Sequence, residues 1–265
     1  MKKIRKVGEY MIEVWKAAGM DMRNVEFLWA SEEINRNPDA YWMRVLDIAR
    51  RFNLPRIKRC CSIMGRSESD DLAASQIFYP CMQCADIFNL KADICQLGMD
   101  QRKVNMLARE YCDTTKPRIK LKPIILSHPM MMGLKQGQEK MSKSDPDSAI
   151  FMEDSVADVR RKIRQAYCPP GQVESNPCLN WMQHIVFGKF GRVEINRDDA
   201  HGGNVVYESF EQMTEDYASG ALHPGDLKQA LTRYLNEALE PVRQHFQSGR
   251  PAQLLKEVRK YRISR

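Results

Sequence analysis

Five consecutive residues, Lys140-Met141-Ser142-Lys143-Ser144, carry the sharpest chemical signal in this 265-residue chain. Two ammonium groups and two hydroxyls sit in a polar stretch that also holds Gly133 and Gly137. Such a loop suits a polyphosphate: lysines act as point charges on phosphate oxygens, while hydroxyls and backbone N–H groups bond them. An exposed lysine loop is the alternative reading. A second constellation is Tyr79-Pro80-Cys81-Met82-Gln83-Cys84-Ala85-Asp86. On a helix, Tyr79, Gln83, Asp86 and Leu90 share one face. A phenol, an amide and a carboxylate beside Met82 and Ile87 suit a buried, oriented polar ligand, or else form a solvent-facing polar stripe. A third is Gly98-Met99-Asp100-Gln101, which follows a predicted strand and opens a helix. The carboxyl end of a parallel strand is where doubly wound sheets bind nucleotides. Gly98 lets backbone come close to such a ligand there, and Asp100 either bonds it or caps the helix.

The elements that must position these residues follow from periodicity. Ile4, Val7, Met11, Val14 and Ala18 fall on one helical face, which predicts a helix ending at Gly19. Strands are expected at 25–30, 92–97 and 122–126, with helical stretches between them, a pattern that implies a parallel doubly wound sheet. Three strands are few for such a sheet, which carries about five or six, and the chain enters the pattern through a helix. It reads as though the first strand–helix units were missing. Beyond residue 150 helices are expected at 156–167, 177–187 and 225–246. The fold class is therefore α/β: a partial Rossmann-type sheet domain over 1–150, followed by an all-α domain over 151–265.

Composition narrows the function classes. Hydrophobic residues make up 43% and charged residues 28%, which excludes a wholly disordered chain. No apolar run reaches the ~20 residues of a membrane span, and Met1-Lys2-Lys3-Ile4-Arg5-Lys6 lacks a signal core. The expectation is a soluble cytoplasmic protein with no membrane partner. The eight cysteines fit that compartment as thiols, and no second pair joins Cys81 and Cys84 to complete a metal site. The net charge of +7 hints at a polyanionic partner. Basic residues cluster at Arg50-Arg51, Arg56, Lys58-Arg59 and Arg66, at Arg160-Arg161-Lys162 and Arg164, and along 256–265. Solvated helix faces and a frayed tail are the plainer reading of each cluster.

Lys140–Ser144 is similar to the KMSKS signature of class I aminoacyl-tRNA synthetases. The 79–86 stretch, with Gly98-Met99-Asp100-Gln101-Arg102-Lys103, resembles the tyrosyl-tRNA synthetases of archaeal and eukaryotic type. The likeness continues through Ala166-Tyr167-Cys168-Pro169-Pro170-Gly171 to His223-Pro224-Gly225-Asp226-Leu227-Lys228. It implies that Tyr79, Gln83 and Gln101 hold the α-ammonium side of tyrosine and that Asp86 accepts its phenolic hydroxyl. It further implies that ATP meets Gly98, Asp100 (through the ribose), Lys140, Met141, Ser142, Lys143 and Ser144, with Mg2+ carried by ATP. Lys140 and Lys143 are then the catalytic pair, stabilising charge on departing pyrophosphate. No protein nucleophile is needed, because catalysis rests on positioning and charge. The helical half is implied to bind the tRNA(Tyr) anticodon, with Asp226 on its first base and His201 stacking. Asp226 as a helix cap and His201 as a turn residue are the alternatives.

One departure matters. Class I synthetases carry an H-x-G-H motif in their first strand–helix unit. The histidines here are His128, His184, His201, His223 and His245, and none forms it. Two expectations follow: a tyrosine--tRNA ligase lacking the start of its catalytic domain, or a catalytically incomplete tRNA-binding fragment or paralogue. The resemblance also implies a homodimer or pseudo-dimer. A tryptophanyl relative is argued against by Asp86, since an indole offers a different polar edge.

Overall fold

The computed structural model describes residues 2–61, 71–138, 140–141 and 145–261, without the side chain of His201. Two compact units make up the chain, one formed by 27–130 and one by 1–26 with 131–265. Helix α1 (Lys2–Ala17) opens the chain. Its buried residues are Tyr10 and Val14, whereas Ile4 is 65% exposed and Val7 and Met11 lie near 40%. The helix forms as expected, with most of its apolar stripe open. Polar and aromatic partners choose the inward face instead: the Tyr10 ring meets Phe246 at 5.3 Å, its hydroxyl donates to Glu153 at 2.8 Å, and Glu13 meets His245 at 2.8 Å.

The 27–130 unit holds the parallel strands. It runs through α2 (Ala30–Arg36), α3 (Pro38–Arg51), α4 (Leu54–Cys60) and α5 (Ala74–Asn89). Strand β1 (Ile94–Gly98), a single 3-10 turn (Met99–Gln101), α6 (Arg102–Thr114) and β2 (Ile124–His128) follow. Asn37 starts α3 by accepting from the Ala40 N–H at 3.3 Å, with Pro38 in the first turn where its missing N–H costs nothing. β1 and β2 pair in parallel from Ile94 opposite Ile124 to Gly98 opposite His128, with α6 as the crossover. The core of this unit joins Tyr41, Val45 and Ile48 of α3 to Cys81, Cys84 and Ala85 of α5 and Val104, Leu107 and Ala108 of α6.

The strand expected at 25–30 does not form. Val25 and Trp29 have extended dihedrals (φ −116°, ψ 125° and φ −94°, ψ 116°), but Ala30 already begins α2. Among the described residues β1 and β2 are the whole parallel sheet. An extended segment becomes a strand only through a neighbouring ladder.

The other unit is helical. α7 (Val156–Gln165) begins at a reciprocal cap, Ser155 Oγ accepting from the Asp158 N–H at 3.1 Å and Asp158 from the Ser155 N–H at 3.2 Å. α8 (Pro177–Trp181) passes through a π-helical stretch (Met182–Phe187) into α9 (Gly188–Phe190). α10 (Phe210–Ser219), α11 (Pro224–His245) and α12 (Gly249–Val258) complete it. A short antiparallel ribbon of β3 (Val193–Ile195) and β4 (Val205–Tyr207) lies within this half, so the 151–265 stretch is not all helix. Strands of three residues leave too little alternation to be read from sequence.

The boundary expected near 150 falls inside this unit. Leu134 is buried in the helical core, its N–H donates to the Ser148 carbonyl at 2.9 Å, and its own carbonyl accepts from Tyr167 at 2.8 Å. These contacts tie the segment after β2 to the helices that follow it.

Candidate functional site

The buried side of α5 decides what its other side can do. Cys81, Cys84 and Ala85 go into the core, which turns Tyr79, Gln83 and Asp86 toward a cavity of about 550 Å³. Tyr41 and Ile34 from the preceding helices, Leu97 of β1 and Asn105 of α6 complete its walls. Tyr79 stands half open to solvent (49%) at the rim. Gln83 donates from Nε2 to Oε1 of Gln101 at 2.9 Å, which links two expected ligand-binding amides.

Asp86 has a partner that no spacing rule suggested. The Tyr41 hydroxyl donates to Asp86 Oδ1 at 2.8 Å. Burial pushes the Asp86 carboxyl above the usual range, and the Tyr41 bond acts in the opposite direction. Burial, helped by the same pairing, holds the Tyr41 phenol well above its ordinary value. Tyr41 lies 45 residues before Asp86 in sequence, a separation that no helical spacing connects. Asn105 is likewise an unforeseen lining residue. It is fully buried, its Oδ1 accepts from the Cys95 thiol at 3.6 Å, and its Nδ2 has no hydrogen-bond partner.

At the carboxyl end of β1, Gly98 leaves room for two neighbouring side chains. A Cβ there would lie 2.8 Å from Asp100 Oδ1 and 2.8 Å from Met130 Sδ. Any larger residue displaces the Asp100 carboxylate. Asp100 caps no helix: Gly98 precedes the 3-10 turn and Gln101 precedes α6. The strand-end acid is therefore available to a ligand. His128 faces Gly98 across the sheet, and Arg102 donates to Ser127 Oγ at 3.3 Å.

The Cys81-x-x-Cys84 pair is inert by environment. Both thiols are free and buried, and desolvation pushes Cys81 up to about 11 and Cys84 well above its ordinary value. Among the described residues no group of three His, Cys, Asp or Glu side chains could hold a metal ion. No described helix is long and apolar enough to cross a membrane.

In the helical unit, Lys140 and Met141 are exposed, while Ser142, Lys143 and Ser144 lie outside the described residues, as do Arg66 and 262–265. The backbone leading to Lys140 is shaped by Gly133, whose N–H donates to Gln138 at 3.2 Å and whose Cβ would lie 3.0 Å from the Lys140 carbonyl. Lys135 pairs with Asp145 at 2.6 Å and so braces the loop from both sides. Asp226 sits in the first turn of α11 without being its cap; that role falls to His223, whose Nδ1 accepts from the Gly225 N–H at 3.0 Å. His201 closes a 3-10 turn before Gly202 and Gly203, both at positive φ (93° and 69°). Its side chain lies outside the description.

A parallel strand pair with a cavity between α5, β1 and α6 is an α/β arrangement. Residues 1–240 match the family model described as "tRNA synthetases class I (W and Y)". The chain is 62% identical over its whole length to "Tyrosine--tRNA ligase 1, cytoplasmic" of Arabidopsis thaliana and spans 69% of that protein. Among solved structures it resembles Leishmania major tyrosyl-tRNA synthetase in complex with tyrosinol, at 52% identity and TM-score 0.91, covering 99% of this chain and 40% of that one. It also resembles the Pyrococcus horikoshii enzyme complexed with L-tyrosine, at 38% identity and TM-score 0.83, covering 95% and 73% respectively. An Aeropyrum pernix tryptophanyl-tRNA synthetase shares the fold alone, at 18% identity and TM-score 0.66. The chain belongs to the class I synthetase family for tryptophan and tyrosine, and within it to the tyrosine--tRNA ligases.

Proposed function

We propose that this chain supplies the tyrosine pocket and the tRNA-reading part of a tyrosine--tRNA ligase. Tyrosine's carboxylate attacks the α-phosphate of ATP, giving tyrosyl-adenylate and pyrophosphate. The tyrosyl group then passes to the 3′ end of tRNA(Tyr). The observation that carries this reading is the cavity between α5, β1 and α6. A half-buried carboxylate stands along one wall, and a bonded pair of amides lies near it. Asp86 accepts the phenolic O–H, while Tyr79, Gln83 and Gln101 meet the α-ammonium side. Gly98 admits the nucleotide to the strand end, and Asp100 bonds its ribose. Lys140 and Lys143, with Met141, Ser142 and Ser144 around them, meet the phosphates that ATP brings with its Mg2+. These contacts strengthen as charge develops on pyrophosphate. Domain roles follow: the α/β part activates tyrosine, and the helical part reads tRNA(Tyr) through Asp226 and His201. A dimer working in the cytoplasm belongs to the same proposal, and sedimentation of the full-length protein measures the assembly.

The test is amino-acid binding by equilibrium dialysis with Asp86→Ala. Losing one charge-assisted hydrogen bond costs about 1.5–3 kcal/mol, so tyrosine should bind roughly 10- to 100-fold more weakly. Phenylalanine, which has no hydroxyl to place, should change far less. Unchanged tyrosine affinity in a folded Asp86→Ala protein overturns the pocket assignment.

A further inference from the structure

Eight free thiols are spread through the chain, and the proposed ligase chemistry uses none of them. Seven are raised above the ordinary thiol value, six of them chiefly by burial and Cys178 chiefly by the sulfur beside it. Cys168 goes the other way, and it is partly open to solvent.

Its surroundings explain the difference. Cys168 Sγ lies 3.2 Å from the Tyr217 hydroxyl of α10 and accepts from Nδ2 of Asn176 at 3.8 Å. The same Asn176 amide holds the second cysteine, its Oδ1 accepting from the Cys178 N–H at 3.0 Å. Cys178 Sγ in turn donates to the Tyr167 carbonyl at 3.9 Å, which belongs to the peptide bond leading into Cys168. The chain between them doubles back through Gly171 and Ser175, both at positive φ (70° and 55°). One amide and one peptide thus keep the two cysteines side by side, and their thiols hydrogen-bond each other.

That bond is the largest influence on Cys168 and pulls it down to about 6 against the effect of burial, with Tyr217, Asn176 and Lys228 acting in the same sense. Tyr217 adds a donor that can follow the charge. Its single hydroxyl proton has two acceptors in reach, the Pro169 carbonyl at 2.7 Å and Cys168 Sγ. Beside a thiol the proton goes to the carbonyl, and beside a thiolate it can turn to sulfur.

We propose that Cys168 and Cys178 form a peroxide-reactive dithiol, in which Cys168 is the oxidised sulfur and Cys178 closes a disulfide onto it. The Cys168 thiolate attacks a hydroperoxide, the O–O bond breaks, and the outer oxygen leaves with a proton as an alcohol or water. Cys168 is then a sulfenic acid. Cys178 Sγ attacks that sulfur, the S–O bond breaks, and the Cys178 proton departs with the oxygen as water. Two thiols lose two electrons and the hydroperoxide gains them. The dithiol lies outside the residues assigned to tyrosine, ATP and tRNA, so it stands or falls apart from the ligase reading.

The experiment treats the full chain, reduced and then freed of reductant, with hydrogen peroxide at neutral pH, followed by iodoacetamide and trypsin. Arg164 and Lys189 bound a tryptic peptide, 165–189, that holds both thiols and no other cysteine. It should appear two hydrogens lighter and unalkylated, and reduction should restore both alkylation sites. Cleavage after Glu174 should leave its halves joined. In Cys178→Ser, Cys168 has no resolving partner, and dimedone, which captures sulfenic acids, should label it. In Cys168→Ser, Cys178 should stay a thiol. Without peroxide, brief alkylation should modify Cys168 about 10-fold faster than Cys95, the other partly open thiol, because thiolate fraction favours it.

A peptide 165–189 that remains doubly alkylable after peroxide overturns the proposal, as does a disulfide from Cys168 to any other cysteine. A sulfenic acid that persists on Cys168 in the wild type removes the role given to Cys178, and alkylation of Cys95 as fast as Cys168 removes the role given to Cys168. Circular dichroism confirms that the serine variants fold. Where one does not, the wild-type peptide masses decide the outcome by themselves.

Discussion

If Asp86 recognises the phenol of tyrosine, as proposed, its carboxylate must stay ionised in a place that discourages ionisation, and the Tyr41–Asp86 pair addresses that conflict. Burial raises the Asp86 carboxyl, and the Tyr41 hydroxyl at 2.8 Å donates to its charged form. Tyr41→Phe removes the donor and keeps the ring, so the carboxyl should rise further. Only the ionised form accepts fully from tyrosine's O–H. Tyrosine affinity should therefore decline as pH falls through the Asp86 value, and in Tyr41→Phe that decline should begin at higher pH. Stability has the opposite sense: a carboxyl raised in the fold favours folding most at low pH and contributes less as pH rises through its range. Calorimetric titration with tyrosine over a pH series checks the shift, and a variant profile that overlays the wild type would refute the role given to Tyr41. Nothing in the chain marks this pair beforehand, since hydrogen bonds between distant residues leave no periodicity. The α5 stripe was legible because helical geometry alone brings Tyr79, Gln83 and Asp86 to one face.

Elements were legible where their pattern was long, and obscure where a partner decided the outcome. α5, α6, α7 and α11 carry repeated apolar positions, and β1 and β2 sit within two residues of where β-formers run. The extended segment before α2 and the orientation of α1 depend on neighbours, and a one-dimensional pattern cannot name them. The turn between β2 and α7 shows the same dependence through a buried ion pair. Lys162 on α7 is 4% exposed and donates to Asp154 at 2.7 Å and to the Ala149 carbonyl at 2.9 Å, with the Phe151 ring 4.6 Å away. Asp154 in turn accepts from the Phe151 N–H at 2.9 Å. In sequence Lys162 belongs to a basic run that reads as solvated. Lys162→Met fills similar space but strands the Asp154 charge and a carbonyl. Breaking a buried pair from one side costs about 3–5 kcal/mol. Urea unfolding should register that loss, whereas Arg161→Met, on the exposed side, should cost under about 1 kcal/mol.

At the scale of the molecule, two compact units keep separate cores: Tyr41, Val45 and Leu107 belong to one, and Leu134, Leu231 and Met213 to the other. The second unit is discontinuous, with 1–26 joined to 131–265, and the change to helical pattern expected near 150 falls within it. Separate cores make the chemistry separable in a defined way. The cavity proposed to take tyrosine is lined wholly from 27–130, whereas Lys140 is an exposed residue of the other unit. Substituting an exposed lysine there leaves every lining residue of the cavity and its hydrogen bonds in place. If Lys140 acts on departing pyrophosphate, Lys140→Ala removes an interaction that is stronger in the transition state than in the ground state. Such a change lowers the rate without weakening the ground-state complex. In the full-length enzyme, adenylate formation by stopped flow should slow by about 100-fold. The tyrosine Kd from the same titrations should stay within about twofold of wild type, the signature of a contact made only as charge develops. Parallel loss of rate and tyrosine affinity would instead assign Lys140 to holding the pocket, and phosphate chemistry would have to be sought elsewhere in the chain.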